Sequence, residues 1–495
     1  MDMTQAAREG ATSAPLAGAP HLVIVGAGIT GLSAAWYAHR AAARANLPLR
    51  VSVLEAADRC GGKLRTDVVT GYGDAAFRLE ASADGFLTRK PWALALAREL
   101  GLDDAILYSE REAAPTRVWH DGRLIPLPEG LALLPPTRLA PLLRSPLFST
   151  AGKARVLLEL ALPARPPRDD ESLASFVRRR FGAEMLDRVA VPLMAGVYNA
   201  RPERMSLRAT FPQFAAMERS AGSVTRGARR AAASAPPAPG TAPLAPFFSF
   251  VGGAQTLVDT LANRLAGAVR TGTAAAAVAA APAGGFHVRL RDGSALAADA
   301  VIVATPAGAA ADLLRGAAPA AAALLDGIRY EGIGALYLGY RQRDVPRDLA
   351  GYGVLIPARE RHHLDGITWT SSKWRERAPE DQALLRVFFG GPYTRESLAL
   401  DDERLIPLVT RELAGMLGIV APPVLWRVYR WPDGYPQYDV GHLDRLDALA
   451  RALPRGVAVA GSAYRGVGVP DCVRQGEQAA NDVLEQVLAR PRRAG

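Results

Sequence analysis

The chain has 495 residues, too many for one ordinary core, and at ~150 residues per domain it holds about three domains. Apolar residues make up 49% and charged residues 22%, a balance that excludes a disordered protein. The formal charge of +10 suits an anionic substrate, an anionic membrane face or nucleic acid alike, whereas two cysteines, Cys60 and Cys472, are too few for a disulfide scaffold or a cysteine-ligated metal and point to a reducing cytoplasm.

Residues 1–20 lack the basic start and apolar block of a signal peptide and read as a flexible tail. No uninterrupted apolar run reaches the ~18 residues of a membrane span. Residues 21–25 form an apolar strand, 31–44 a helical pattern, and 49–54 a second strand that ends at Glu55. Between the first strand and the helix stands Gly26-Ala27-Gly28-Ile29-Thr30-Gly31. Gly26 permits the tight turn, Gly28 lets the backbone approach a pyrophosphate, and Gly31 lets helix and strand pack closely. Glu55 stands where a carboxylate bonds ribose hydroxyls. The pattern predicts a dinucleotide site without separating NAD from FAD.

The residues after Glu55 make that distinction. Arg59-Cys60-Gly61-Gly62-Lys63 couples a cation able to neutralise a pyrophosphate with two glycines that let backbone run beside a flavin. From 117 to 230 the chain is helical, basic and proline-containing, with periodicity over 151–162 and 173–181. Residues 229–246 read as a Pro/Ala-rich linker, and 252–266 as a helix after a Gly-Gly start. A hairpin follows over 286–290 with Asp292-Gly293 as its turn, then a buried strand, 300–304, stopped by Pro306. Residues 328–429 alternate apolar stretches with loops, as a mixed sheet would. A strand at 457–460 leads into a second glycine-rich approach to a helix, Gly461-Ser462 and Gly466 to Asp471, with the last helix from about 475 to 488. Two such approaches at opposite ends of the chain suit a long dinucleotide such as FAD. Of 59 basic residues only four are lysines, Lys63, Lys90, Lys153 and Lys373.

Segments along nearly the whole chain carry a more specific signal. HLVIVGAGITGLSAAWYA, VLEAADRCGGKLRT, FLTRK, STAGKAR, MSLRATFPQF, TWTSSKW, YPQYDVGH and GVGVPDCVRQG resemble the oxygen-dependent coproporphyrinogen and protoporphyrinogen oxidases, within the amine-oxidase-type flavoproteins. All four lysines fall in or beside matching segments. The resemblance implies a mixed α/β fold: a Rossmann-like FAD-binding domain, a mixed-sheet substrate domain and a helical insertion. It divides the chain into FAD-binding parts at 21–112, 247–327 and 441–495, a helical domain at 113–228, a loop at 229–246, and a substrate domain at 328–440. Noncovalent FAD would be held by Gly26, Ala27, Gly28, Ile29, Thr30, Gly31, Glu55, Ala56, Arg59, Gly62 and Lys63. Glu80, Ala81, Ser82, Ala83, Ala275 and Trp431 would join them, with Gly461, Ser462, Val469, Pro470 and Asp471 from the C-terminal end. The substrate would meet Arg89, Lys90, Leu355, Trp369, Lys373 and Phe388. Relatives carry Gly-Pro where this chain has Ser82-Ala83, which puts that flavin contact in question, and an insertion precedes it near Gly73 to Ala76.

The implied activity is six-electron aromatisation of coproporphyrinogen III, with O2 as acceptor and three H2O2 formed, in haem synthesis; protoporphyrinogen IX is the alternative substrate. An amine oxidase on the same scaffold and a non-catalytic porphyrin binder are the more distant alternatives. The sequence nominates no Ser-His-Asp triad, paired carboxylates or metal spacing among its seven histidines, and no catalytic residue is expected beyond the flavin. Nucleic acid is not an expected partner, and hand-off of product to a ferrochelatase fits the family. Residues 131–163 combine apolar clusters with Arg138, Arg144, Lys153 and Arg155; they are expected mainly to pack the helical domain, with at most weak, peripheral contact with a membrane.

Overall fold

The computed structural model describes residues 19–72, 75–110, 115–131, 133–166, 170–234 and 245–488. Nearly all of the expected tail, the middle of the expected linker and part of the insertion near Gly73 lie outside these residues.

A five-stranded parallel sheet forms the first layer, in the order Val269–Arg270, Arg50–Leu54, His21–Val25, Ala300–Val303, Val457–Val459. Its central strands are buried along their whole length, so they read as continuous apolar runs rather than alternating ones. The helices Ile29–Arg44 and Val469–Leu488 cover one face, and Leu32, Ala35, Val473 and Ala480 belong to the same apolar core. The strands come from both ends and the middle of the chain. The hairpin Phe286–Leu290/Ala295–Ala298 belongs to a small adjoining sheet, its Asp292 carboxylate accepting the Ser294 N–H in the turn.

A seven-stranded sheet forms the second body: Leu425–Pro436, Tyr330–Arg341, Gln382–Phe389, Gly366–Trp369, Gly353–Leu355, Arg117–His120 and Arg123–Pro126. All its pairings are antiparallel except that of Gly353–Leu355 with Arg117–His120. The hairpin Arg117–Pro126, expected at the head of the helical stretch, thus extends this sheet. Its strands, RVWH and RLIP, each carry an apolar pair and are joined by Asp121-Gly122, a turn signal that the basic composition of the stretch conceals.

The third body is helical. Ser149 and Ser172 cap the helices Thr150–Leu158 and Leu173–Phe181, each hydroxyl accepting a backbone N–H three residues on. Arg180 and Glu159 form a fully buried ion pair that ties these helices to Val224–Ser234, because Glu159 also accepts from Ser223 Oγ at 2.7 Å and Val224 N at 2.8 Å. That last helix runs through Arg229 to Ser234, the start of the expected linker, since its alanines favour helix up to the prolines. Leu134, Leu142, Leu147 and Val156 are buried in this body, while Leu143 and Leu158 are exposed. Among the described residues no helix is long and apolar enough to cross a membrane.

The C-terminal helix begins at Val469, six residues before the sequence reading starts it. Pro470 is the reason: its missing N–H and fixed φ suit a first helical turn, where the sequence reading took it as part of a loop.

Candidate functional site

The first strand ends in Gly26, with φ +103°, and turns directly into the helix from Ile29. A Cβ at Gly26 would stand 2.9 Å from Ala304 O, and one at Gly31 would meet Gly26 O at 1.9 Å, so both positions are closed to any side chain. Gly28 differs. Its φ of −67° is ordinary, and a Cβ built on it meets nothing within 4 Å. The helix start there has no side-chain cap, so the positive end of the helix has no side-chain acceptor of its own. Ile29 and Thr30 are buried in the first turn. This is a cradle that a side chain would fill and that a pyrophosphate fits.

Glu55 completes the turn from the second strand. Its carboxylate accepts from Ala27 N at 2.8 Å and Ala57 N at 2.9 Å, with Ala56 exposed between. Thr273 N donates to Glu55 O at 2.7 Å, and Ala275 follows two residues on, outside the large cavity described below. The loop after Glu55 folds back over the cradle: Gly61 N donates to Ala27 O at 2.8 Å, and Gly61 bridges Gly28. Arg59 donates to Cys60 O and Gly62 O of its own loop, so its guanidinium holds the loop's shape. Lys63 donates to the carbonyls of Asp433 and Gly434, and burial pulls its ammonium below the ordinary lysine range.

A cavity of about 500 Å³ opens beside this loop, between the dinucleotide body and the seven-stranded sheet. Val469, Pro470 and Asp471 of the C-terminal helix line one end. Ala81, Ser82 and Ala83 form an adjoining wall, Trp431 donating to Ala81 O at 2.7 Å and Arg386 to Ser82 O at 2.5 Å. Val354, Leu355, Ile367 and Phe388 supply an apolar wall from the sheet, and Tyr198 and Asn199 close the side toward the helical body. Gly461, with φ +138°, lies over Thr30, and Ser462 O accepts from Tyr438 Oη at 2.7 Å. Burial pushes the Cys472 thiol up to about 11, so it stays protonated and is a poor nucleophile toward a cofactor.

The charges lining this cavity are mostly positive: Lys63, Arg89, Lys90, Lys373 and Arg386 against Asp84, Asp365 and Asp471. Lys90 pairs with Asp471 at 2.5 Å, which places it at the start of the C-terminal helix. Lys373 donates to both oxygens of Asp84, at 3.1 and 3.2 Å, and Trp374 adds a third bond at 3.2 Å. Burial alone would raise the Asp84 carboxyl, but Lys373 and Arg386 hold it down at about 2. Arg89 is exposed at the rim and has no carboxylate partner among the described residues. Thus both expected lysines carry counter-ions, Arg386 is buried and shared with Asp84 and Ser82 O, and Arg89 is the freer cation.

Glu80 and Trp369, like Ala275, stand apart from the cavity. Glu80 is buried behind it, accepting from Ala254 N at 3.0 Å and Thr66 Oγ1 at 2.8 Å beside Arg377, so its side chain braces the fold. Trp369 is wholly enclosed in the sheet's core. Sequence reasoning missed Asp84, Tyr198, Asn199 and Arg386. Arg386 had a legible signal, a lone charge within the apolar strand run ALLRVFF; Tyr198 and Asn199 had none, because only the packing of the helical body brings them here.

Residues 29–484 match the family described as flavin containing amine oxidoreductase. The coproporphyrinogen III oxidase of Bacillus subtilis is 34% identical over 478 residues, covering 95% of this chain and 99% of that protein. The chloroplastic protoporphyrinogen oxidase of Nicotiana tabacum is 30% identical, covering 93% and 85%. Among solved structures, a protein of Exiguobacterium provisionally named protoporphyrinogen oxidase has a TM-score of 0.80 at 29% identity, covering 94% of this chain and 99% of that one. Reduced UDP-galactopyranose mutase shares the fold, with a TM-score of 0.69 at 20% identity, covering 96% and 97%.

Proposed function

The chain belongs to the flavin containing amine oxidoreductases, and from that premise we propose that it oxidises coproporphyrinogen III to coproporphyrin III with O2 as acceptor. It is an FAD-dependent oxidoreductase. The observation that carries the choice of substrate is the large cavity: apolar walls from Val354, Leu355, Ile367 and Phe388, with an excess of cations around them. A flat, apolar macrocycle with several carboxylate arms matches that combination, and four propionates match the cationic excess better than two do.

Gly28 and the uncapped helix start would hold the pyrophosphate, and Glu55 braces their turn. The loop through Gly61, Gly62 and Lys63, the Ala81 to Ala83 wall and the Val469 to Asp471 turn would border the flavin. FAD held there would supply two-electron redox chemistry between the macrocycle and O2, so the six-electron change would take three such cycles and yield three H2O2. The protein's own part is to seat the macrocycle against that border, with Arg89 and Arg386 as carboxylate partners. The Lys90–Asp471 and Lys373–Asp84 pairs neutralise four of the other lining charges. Aromatisation of the macrocycle drives proton loss, and pyrrole N–H groups deliver protons to solvent, so no general base is assigned. Delivery of product to a ferrochelatase, and peripheral contact with an anionic membrane through residues 131–163, where Leu143, Arg144 and Leu158 are exposed, belong to the same reading.

Anaerobic mixing with each porphyrinogen tests it. Flavin absorbance should bleach with coproporphyrinogen III, more slowly with protoporphyrinogen IX, and return on admitting O2. Faster bleaching with protoporphyrinogen IX would reverse the substrate assignment. No bleaching with either, but bleaching with an amine, would make the protein an amine oxidase.

A further inference from the structure

A second pocket lies behind the wall of the large cavity. Its volume is about 310 Å³, and it is lined by Arg201, Arg204, Arg329 and Arg395 with Glu331 and Gln437. These residues come from separate parts of the fold: the loop after the helix Val191–Tyr198, the start of the strand Tyr330–Arg341, the turn Arg395–Ala399, and the chain leaving Leu425–Pro436. Four guanidiniums face two carboxylates. Arg329 grips Asp439 in bidentate fashion at 2.8 and 2.9 Å and reaches Glu331 at 3.2 Å. Arg395 holds Glu331 at 2.6 Å, and Arg204 shares Asp439 at 3.2 Å. Arg201 has no carboxylate partner among the described residues. It is fixed instead by a bond to Pro392 O at 2.5 Å and by stacking over Tyr393, 5.0 Å from the ring centroid. The exposed Glu203 on the same loop does not line the pocket.

Two positive charges are therefore uncompensated in a concave pocket whose arginines present planar forks. That donor set fits oxygens carried in pairs, on a phosphate or on neighbouring carboxylates. We propose that this pocket is an anion site distinct from the substrate cavity, taking a small dianionic oxyanion or a pair of carboxylate arms. Its position gives it a lever on the larger cavity. Gln437, in the pocket, donates to Asn199 O at 3.2 Å, and Asn199 donates to Gly332 O at 2.7 Å. Asn199, Ile333 and Tyr435 line the large cavity, whereas Glu331 and Gln437 line the small one. The register shift between Glu331 and Ile333 accompanies this change of side. An anion bridging Arg201 to Arg395 would tie the helical body to the sheet along that shared wall.

The test uses the flavin-loaded enzyme with inorganic phosphate, with coproporphyrin III, and with chloride at matched ionic strength, read by thermal unfolding and calorimetry. Phosphate should raise the unfolding temperature in a saturable way that chloride does not reproduce. The R201Q/R395Q variant should weaken binding by ~10-fold or more, and Glu331→Gln, which removes a competing carboxylate, should tighten it. Should R201Q/R395Q fail to retain flavin, Arg204→Gln on the exposed rim makes the same comparison. Saturable phosphate binding alone assigns the site to a free oxyanion. A second coproporphyrin III binding step that the double variant loses assigns it to carboxylate arms. A rise that follows ionic strength only, one that persists in the variants, or no binding of either probe would overturn the proposal.

Discussion

Asp84 is a carboxylate enclosed by two cations and an indole N–H, and its environment sets a measurable pH dependence. Its folded pKa of about 2 lies below the ordinary value of 3.8, so the group stabilises the fold while ionised. That contribution, about 2 kcal/mol, is fully present above the unfolded pKa and is lost as pH falls through the folded one. The stability difference between the natural protein and Asp84→Asn, from denaturant titration, should be constant from neutrality to near ~pH 4 and shrink only below it. A difference that faded between ~pH 5 and 7 would mean that another group is responsible. At the same scale, the lysine bias drew attention to Lys90 and Lys373. Residue identity could not reveal that Asp471 and Asp84 already occupy them, because each partner lies hundreds of positions away in the chain.

The strand–turn–helix at the start of the chain contains three glycines whose roles differ. Gly28→Val places a side chain in open space at an ordinary backbone conformation, so the variant should fold with an unchanged far-ultraviolet circular dichroism spectrum and purify without flavin. Gly31→Ala drives a methyl group to 1.9 Å from Gly26 O and should fail to yield folded protein. Flavin retained by Gly28→Val would show that the cradle does not carry the pyrophosphate. The motif's spacing identified this element because all its determinants lie within a few residues. The C-terminal approach was legible as glycine-rich, but its helix was read too short, since a proline looks like a terminator until its position in the first turn is known.

Over the whole molecule, three bodies meet around one cavity, and the helical one is held by the buried Arg180–Glu159 pair. Arg180→Met would leave Glu159 charged and buried, at a cost of about 3–5 kcal/mol. Thermal unfolding should show a large fall in midpoint, while flavin content at low temperature is kept, because the pair does not touch the dinucleotide turn. An unchanged midpoint would mean that the pair is dispensable to the body's packing. The sequence by itself determined the dinucleotide turn and the mixture of helices with two kinds of sheet, since these follow from short spacings and from periodicity within single elements, and it determined the family through the segments that resemble known relatives. Only the tertiary structure decided that the hairpin Arg117–Pro126 completes the seven-stranded sheet and that Trp369 and Glu80 turn away from the cavity. It likewise decided that Arg386, Tyr198 and Asn199 face the cavity, and that four arginines from separate segments share one pocket. The physical reason is the same in each case: which side of a strand or helix is covered depends on the neighbour that packs against it, and those neighbours are distant in the chain.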